Sequence, residues 1–245
     1  MLVLSLFPGI GLLDRAFEAE GFTVVRGPDL LWGGDIRTFH PPAGKFDGII
    51  GGPPCQAFSQ FRHIVVAQGH KLADNLIPEY ERCVGEAQPQ WFLMENVPDA
   101  PVPSVGGYQV LSELCCDTWV GGETSRKRRF SFGTRSGARL RIETLALHRP
   151  DPEPAILATG GSRKRPVAIG GSGKPKRMMN SGRMVSGSYF AHAVKMQGLP
   201  ADFLEHAPFT TAGKIKVVGN GVPFRMGIAV AQAVKRAARL AQLAA

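Results

Sequence analysis

The stretch that most constrains the fold is the junction where the apolar run Phe46-Asp47-Gly48-Ile49-Ile50 meets Gly51-Gly52-Pro53-Pro54-Cys55. The run reads as a buried strand that stops in a tight turn. Two glycines let the backbone bend where a Cβ would clash. Two prolines then fix φ and stiffen the chain. Cys55 is thereby presented on a rigid elbow at the C-terminal end of a strand. In open α/β sheets ligands bind at that edge, and a thiol held there suits nucleophilic attack. Taken alone, the elbow is equally consistent with a loop cysteine that follows two prolines.

The surrounding chain supplies the rest of such a sheet. Leu2-Val3-Leu4-Ser5-Leu6 is a short apolar run bounded by Phe7-Pro8-Gly9 and reads as a buried strand. Leu12, Leu13, Ala16 and Phe17 then follow helical spacing, and Gly21 stops the helix. Phe22 to Val25 reads as a second strand, which makes a strand–loop–helix–strand unit and the start of a parallel sheet. Ile77 to Gln88 reads as a helix and Gln90 to Met94 as a further buried strand with Glu95 at its end. Strands ending near 50 and 94 bring Cys55 and Glu95 to one edge, and two chemically useful groups converging there point to a site. Val105 to Cys116 is expected to be helical. Asp117 to Val120 and Arg129 to Gly133 are expected to pair as strands, and an alanine-rich helix is expected from about Phe224 to Leu243. The glycine loop Phe7-Pro8-Gly9-Ile10-Gly11 lacks the GxGxxG spacing of dinucleotide sites, so a plain tight turn explains it as well as a ligand loop does.

Charge points to a polyanionic partner. The chain has 245 residues, 44% of them hydrophobic, a net charge of +9 and a pI near 9.7. Pro154 to Ala201 holds no Asp or Glu, while Arg163, Lys164, Arg165, Lys174, Lys176, Arg177, Arg183 and Lys195 lie within it among glycines and serines. Such a one-sign stretch suits phosphate contact by counterion release, or a solvated linker. The cysteines, Cys55, Cys83, Cys115 and Cys116, form no CxxC pair and no zinc spacing, which points to a reduced, cytoplasmic setting and to no metal. No signal peptide is expected, and no run approaches the ~18 apolar residues of a membrane span.

Four blocks, in this order, resemble the DNA (cytosine-5)-methyltransferase family: Leu6-Phe7-Pro8-Gly9-Ile10-Gly11, Pro53-Pro54-Cys55-Gln56, Glu95-Asn96-Val97 and Gly219-Asn220-Gly221-Val222-Pro223. The resemblance covers roughly residues 2–134 and 184–235. It implies an α/β fold of the class I methyltransferase type, a Rossmann-like, mostly parallel sheet with helices on both faces. It also implies residues 1–134 as the first part of a catalytic and cofactor-binding domain, 135–187 as a short basic target-recognition region, and 188–245 as a return to the catalytic domain. The implied reaction is methyl transfer from S-adenosyl-L-methionine to C5 of a cytosine swung out of double-stranded DNA. Cys55 would add to C6 and Glu95, held protonated, would protonate N3. Arg126 and Arg128, from the family's Gln-x-Arg-x-Arg pattern with Thr124 in place of Gln, would hold the base carbonyl and a phosphate. An alternative register would use Lys127 and Arg129.

The cofactor would be held by Phe7, Gly9, Gly11, Asp29, Asp35, Pro54 and Asn220. Family members usually place Glu followed by an aromatic where this chain has Asp29-Leu30-Leu31-Trp32. DNA contacts would come from Ser59 and Arg62 on a loop after the elbow and from Arg163, Lys164, Arg165, Lys176 and Arg177. The expected protein is a monomer, nucleoid-associated in a prokaryotic or viral host. The same blocks occur in the tRNA-methylating branch of the family. That branch and a catalytically inactive nucleic-acid-binding relative are the alternatives.

Overall fold

The computed structural model describes residues 1–54, 74–145, 152–156 and 187–243. Six strands form one sheet: β1 (Leu2–Leu6), β2 (Thr23–Arg26), β3 (Gly48–Gly51), β4 (Trp91–Asn96), β5 (Gln109–Cys116) and β6 (Lys127–Thr134), in the order β2-β1-β3-β4-β6-β5. The pairs β1–β2, β1–β3 and β3–β4 are parallel, and β6 runs antiparallel to both β4 and β5. Five strands therefore share one direction and β6 alone is reversed. The C-terminal ends of β1 to β5 and the start of β6 line one edge. The expected Rossmann-like α/β class is what forms.

Of the helices α1 (Leu12–Ala19), α2 (Ile77–Ala87), α3 (Gly187–Met196), α4 (Thr211–Asn220) and α5 (Phe224–Leu243), α1 and α5 cover one face and α2 the other, while α3 and α4 pack together against Leu12 in a separate cluster. Alternation along the strands sorts their side chains to the two sides. On one face Val3, Ile50, Trp91, Leu93, Phe130 and Phe132 pack with Phe17 of α1 and Val230 and Val234 of α5. On the other, Leu4, Leu6, Ile49, Phe92 and Met94 pack with Ile77, Tyr80 and Val84 of α2. The last helix lies along the first. A Cβ at Gly227 would stand 2.6 Å from that of Ala16, so glycine allows this approach. The Gln232 amide and the Lys235 ammonium both reach Glu20 at the end of α1.

Two local expectations fail. The segment expected as a helix from Val105 to Cys116 holds the edge strand β5, paired residue for residue with β6. Gly106-Gly107, with Gly107 at φ 82°, breaks the chain ahead of it, and an edge strand tolerates polar residues on either face, here Gln109 and Glu113 on one and Ser112 on the other. Asp117 to Val120 is not a strand but a single 3₁₀ turn closed by Gly121 at φ 83°. The strand expected from Arg129 to Gly133 lies within β6 and pairs with β5 instead.

Candidate active site

The site is built on the edge where the strands end. Glu95 belongs to β4, opposite Phe130 of β6. Arg128 lies two residues before Phe130, hence on the same face. Its Nε stands 2.7 Å from Glu95 Oε1, with the two side chains 16% and 13% exposed. Lys127 and Arg129 fall on the opposite face, and Arg129 donates to the Ala100 carbonyl at 2.6 Å. Of the basic residues in the two registers the sequence left open, Arg128 is the one that β6 brings to Glu95.

The elbow abuts this pair. A Cβ on Gly52 would lie 2.9 Å from Glu95 Oε2, so only glycine passes there without displacing the carboxylate. Asn96 fastens the same junction: its amide donates to the Pro53 carbonyl at 3.3 Å and its oxygen accepts from the Val97 N–H at 2.9 Å. Asn96 was quoted in a motif but given no role. Its position after a strand and before Val-Pro was the available signal. Pro54 is half-buried at the end of the described segment. Cys55, Ser59, Arg62, Arg163, Lys164, Arg165, Lys176 and Arg177 lie outside the described residues. The described cysteines, Cys83, Cys115 and Cys116, are buried. Burial pushes the thiols up to about 11 at Cys83 and about 12 at Cys115, which keeps them protonated and inert at neutral pH.

Arg126 goes elsewhere. It is buried, and its guanidinium donates to the carbonyls of Ile156 at 3.2 Å and Asn220 at 3.1 Å. It thereby ties β6 to the segment 152–156 and to the end of α4. Thr124, which stands where the family pattern has Gln, donates from backbone and hydroxyl to the buried Asp117 carboxylate at 3.0 and 2.8 Å. Burial pushes the Asp117 carboxyl up, against the Thr124 hydrogen bonds and the charge of Arg126.

A second group gathers at the end of β1. Phe7, Gly9 and Gly11 all have positive φ, at 56°, 56° and 75°. The Asp29 carboxylate accepts from the Gly9 N–H and from the Leu31 N–H, both at 2.8 Å. The Trp32 indole donates to the Gly9 carbonyl at 2.7 Å and its ring centroid lies 5.7 Å from that of Phe209. Trp32 was missed as a site residue. It stands three residues after Asp29, in the 3₁₀ turn Leu30–Trp32 that Asp29 caps. Asp35 caps the next turn, Ile36–Thr38, and Arg82 of α2 holds that turn by donating to the Ile36 and Phe39 carbonyls at 2.7 and 3.1 Å. Asn220 has an exposed side chain, and the adjoining Gly221 packs on Leu12 just beyond the glycine loop. Beneath the loop lies Asp14, buried, accepting from Ser5 Oγ at 2.6 Å and Arg26 Nε at 3.0 Å. Burial pushes its carboxyl up, against the Ser5 hydrogen bond and the Arg26 charge.

These residues fit an adenosine-bearing cofactor. Nothing lies within 4 Å of a Cβ position at Gly9, so the loop leaves open space above its backbone. Each Asp29 oxygen accepts one hydrogen bond from the chain and keeps a lone pair for a hydroxyl. A cavity of about 680 Å³ lined by Arg139, Arg141, Arg236 and Leu240 opens at the opposite edge of the sheet, beyond the end of β6, and plays no part in this arrangement. Among the described residues no cluster of His, Cys, Asp and Glu is disposed to hold a metal, and no helix is long and apolar enough to cross a membrane.

Residues 33–101, which span the elbow and Glu95, match the family described as C-5 cytosine-specific DNA methylase. The type II methyltransferase M.NgoPII of Neisseria gonorrhoeae is 36% identical over 118 residues, 40% of this chain and 33% of its own length. The type II methyltransferase M.FnuDI of Fusobacterium nucleatum is 37% identical over 116 residues, 40% of this chain and 32% of its own length. The aligned part of the chain thus spans about a third of these curated relatives. Among solved structures, the Entamoeba histolytica methyltransferase EhMeth has the same fold, with a TM-score of 0.63 at 12% identity over 96% of this chain and 98% of its own. The matched segment carries the Pro53-Pro54 elbow and the Glu95-Asn96-Val97 block, and over these residues the chain is similar to the C-5 cytosine-specific DNA methylases.

Proposed function

We propose that the protein transfers a methyl group from S-adenosyl-L-methionine to C5 of a cytosine swung out of duplex DNA. The observation that carries this reading is the Glu95–Arg128 pair, 2.7 Å apart and set against Gly52 three residues before Cys55. C5 of cytosine is too weak a nucleophile to take a methyl group unaided. The Cys55 thiolate adds to C6, forming a C–S bond and pushing electron density toward C5 and N3. Glu95 places its proton on N3, and Arg128 holds the Glu95 carboxyl in line for it. When bound, S-adenosyl-L-methionine supplies an electrophilic methyl group at C5. Loss of the C5 proton to water then breaks the C6–S bond and frees Cys55 as thiolate, and N3 returns its proton to Glu95. Phe7, Gly9, Gly11, Asp29, Asp35, Pro54 and Asn220 hold the cofactor, with Trp32 fixing the loop. Arg126 serves as a tie between β6 and α4, so that the end of α4 bearing Asn220 returns to the site. A base cannot be attacked at C6 while stacked, so extrusion costs a few kcal/mol. Ser59, Arg62 and the basic residues Arg163, Lys164, Arg165, Lys176 and Arg177 supply the backbone contacts that offset it.

The test is transfer of labelled methyl from S-adenosyl-L-methionine to mixed-sequence duplex DNA, with bisulfite sequencing of the product. Methylated cytosines in a short common context are expected. Label on tRNA and none on duplex DNA would move the substrate to RNA, and label on neither would leave a nucleic-acid binder without catalysis.

A further inference from the structure

The groups just described occupy the edge of the sheet in a fixed lateral order. The glycine loop follows β1, the elbow follows β3, Glu95 lies on β4 and Arg128 at the start of β6. The outermost strand, β5, ends at the same edge, where Cys116 pairs with Lys127. Beyond Cys116 the chain makes the turn Asp117–Val120, and there Trp119 stands 42% exposed. The Lys127 ammonium lies 6.0 Å from the centre of its ring. Leu145, also exposed, donates its N–H to the Trp119 carbonyl at 2.7 Å. Arg225 donates to the Gly121 carbonyl at 3.1 Å, two residues further on.

None of this is needed to build the sheet. The indole belongs to none of the buried clusters, and an aromatic face held exposed beside a cation has the two groups on which bases stack and to which phosphates pair. Arg225 sits in the first turn of α5, where a cation runs against the helix dipole and an anion outside the chain would stabilise it. Strands lie about 4.8 Å apart, so β5 stands roughly 10 Å from β4, about three base steps at ~3.4 Å each along a nucleic-acid strand. A polymer entering with its target base at Glu95, and with the glycine loop on one flank, must leave past β6 and β5.

Resting on the nucleic-acid reading above, we propose that Trp119, Lys127 and Arg225 form a contact surface for the strand flanking the extruded base. The indole stacks on an exposed base or sugar, and the two cations receive phosphates. This combination of aromatic face and cation is the one that single-stranded and distorted nucleic acid recognises without strict sequence preference.

The test uses the full chain, a fluorescein-labelled duplex and S-adenosyl-L-methionine. Trp119→Ala is expected to weaken duplex binding by between about fivefold and 150-fold, the range for loss of one base–aromatic stack. Its KM for duplex rises in step, and its cofactor Kd stays at the wild-type value. Trp119→Phe restores most of the affinity. Lys127→Gln lowers the slope of log affinity against log salt by about one phosphate. A Trp119→Ala protein that binds and methylates duplex as the wild type does would overturn the proposal and leave the methyltransferase reading intact. A Trp119→Ala protein that loses cofactor binding as well would overturn it in favour of a structural role for the turn. A wild-type protein that binds no nucleic acid would overturn both.

Discussion

Glu95 and Cys55 are the two side chains whose removal should separate chemistry from binding. Glu95→Gln keeps the shape of the side chain and removes its transferable proton. Methyl transfer should fall by about 10²–10⁴-fold, the usual contribution of a general acid, with cofactor affinity unchanged in a calorimetric titration. An unaltered rate would remove Glu95 from the mechanism. Cys55→Ser should abolish turnover, because a hydroxyl at neutral pH carries almost no anion to add to C6, and single-turnover quench measurements would show it. Both residues were legible in the sequence through their motifs. The pairing of Glu95 with Arg128 was not, because it depends on which face of β6 each arginine takes. That face is set by the register Glu95 to Phe130, a partnership across the sheet that no local pattern records.

At the scale of elements, Arg126 is the informative case. The resemblance placed it beside Arg128, through the family's Gln-x-Arg-x-Arg pattern. Arg126 nonetheless lies just before β6 begins and turns to the carbonyls of Ile156 and Asn220, 30 and 94 residues away. Arg126→Ala would leave buried carbonyls unsatisfied and should destabilise the protein by roughly 2–4 kcal/mol in a denaturant melt. A loss of activity with no change in stability would instead return Arg126 to the chemistry. The misreading of β5 has a related origin. Its apolar residues Val110, Leu111, Leu114 and Cys115 suit a helical face as well as a strand, and Gly106-Gly107 was the local sign against a helix. The long helix α5, by contrast, falls at Phe224–Leu243 as expected, because alanine-rich helical spacing needs no partner to be recognised.

The whole molecule closes on itself at one edge. The chain begins with the strand that carries the glycine loop and comes back through Asn220 and α5, which lies along α1. This return was expected through the resemblance; composition and periodicity alone do not reach so far along the chain. Closure places Asp14 between β1, α1 and β2, buried beneath the loop. Its carboxyl is pushed up by burial, so the native state holds that proton more tightly than the unfolded chain does. Its contribution to stability is therefore fully present below the ordinary aspartate pKa and declines as pH rises through the raised native value. The melting temperature of wild type relative to Asp14→Asn should fall as pH is taken from 3 to 7, an interval that brackets the ordinary Asp value of about 3.9. A difference that rises with pH would mean that Arg26 and Ser5 outweigh burial.

If Cys55 attacks C6 of a cytosine while Glu95 and Arg128 activate it, the covalent adduct can be trapped and weighed. A duplex carrying 5-fluorocytosine cannot lose a proton from C5 after methyl transfer, so the C6–S bond should persist. With S-adenosyl-L-methionine present, the wild-type protein is predicted to form a denaturant-stable complex with this duplex, one protein per strand by mass. Cys55→Ser should form none. A stable complex with Cys55→Ser, or its absence from a wild-type protein that methylates ordinary duplex DNA, would contradict the account.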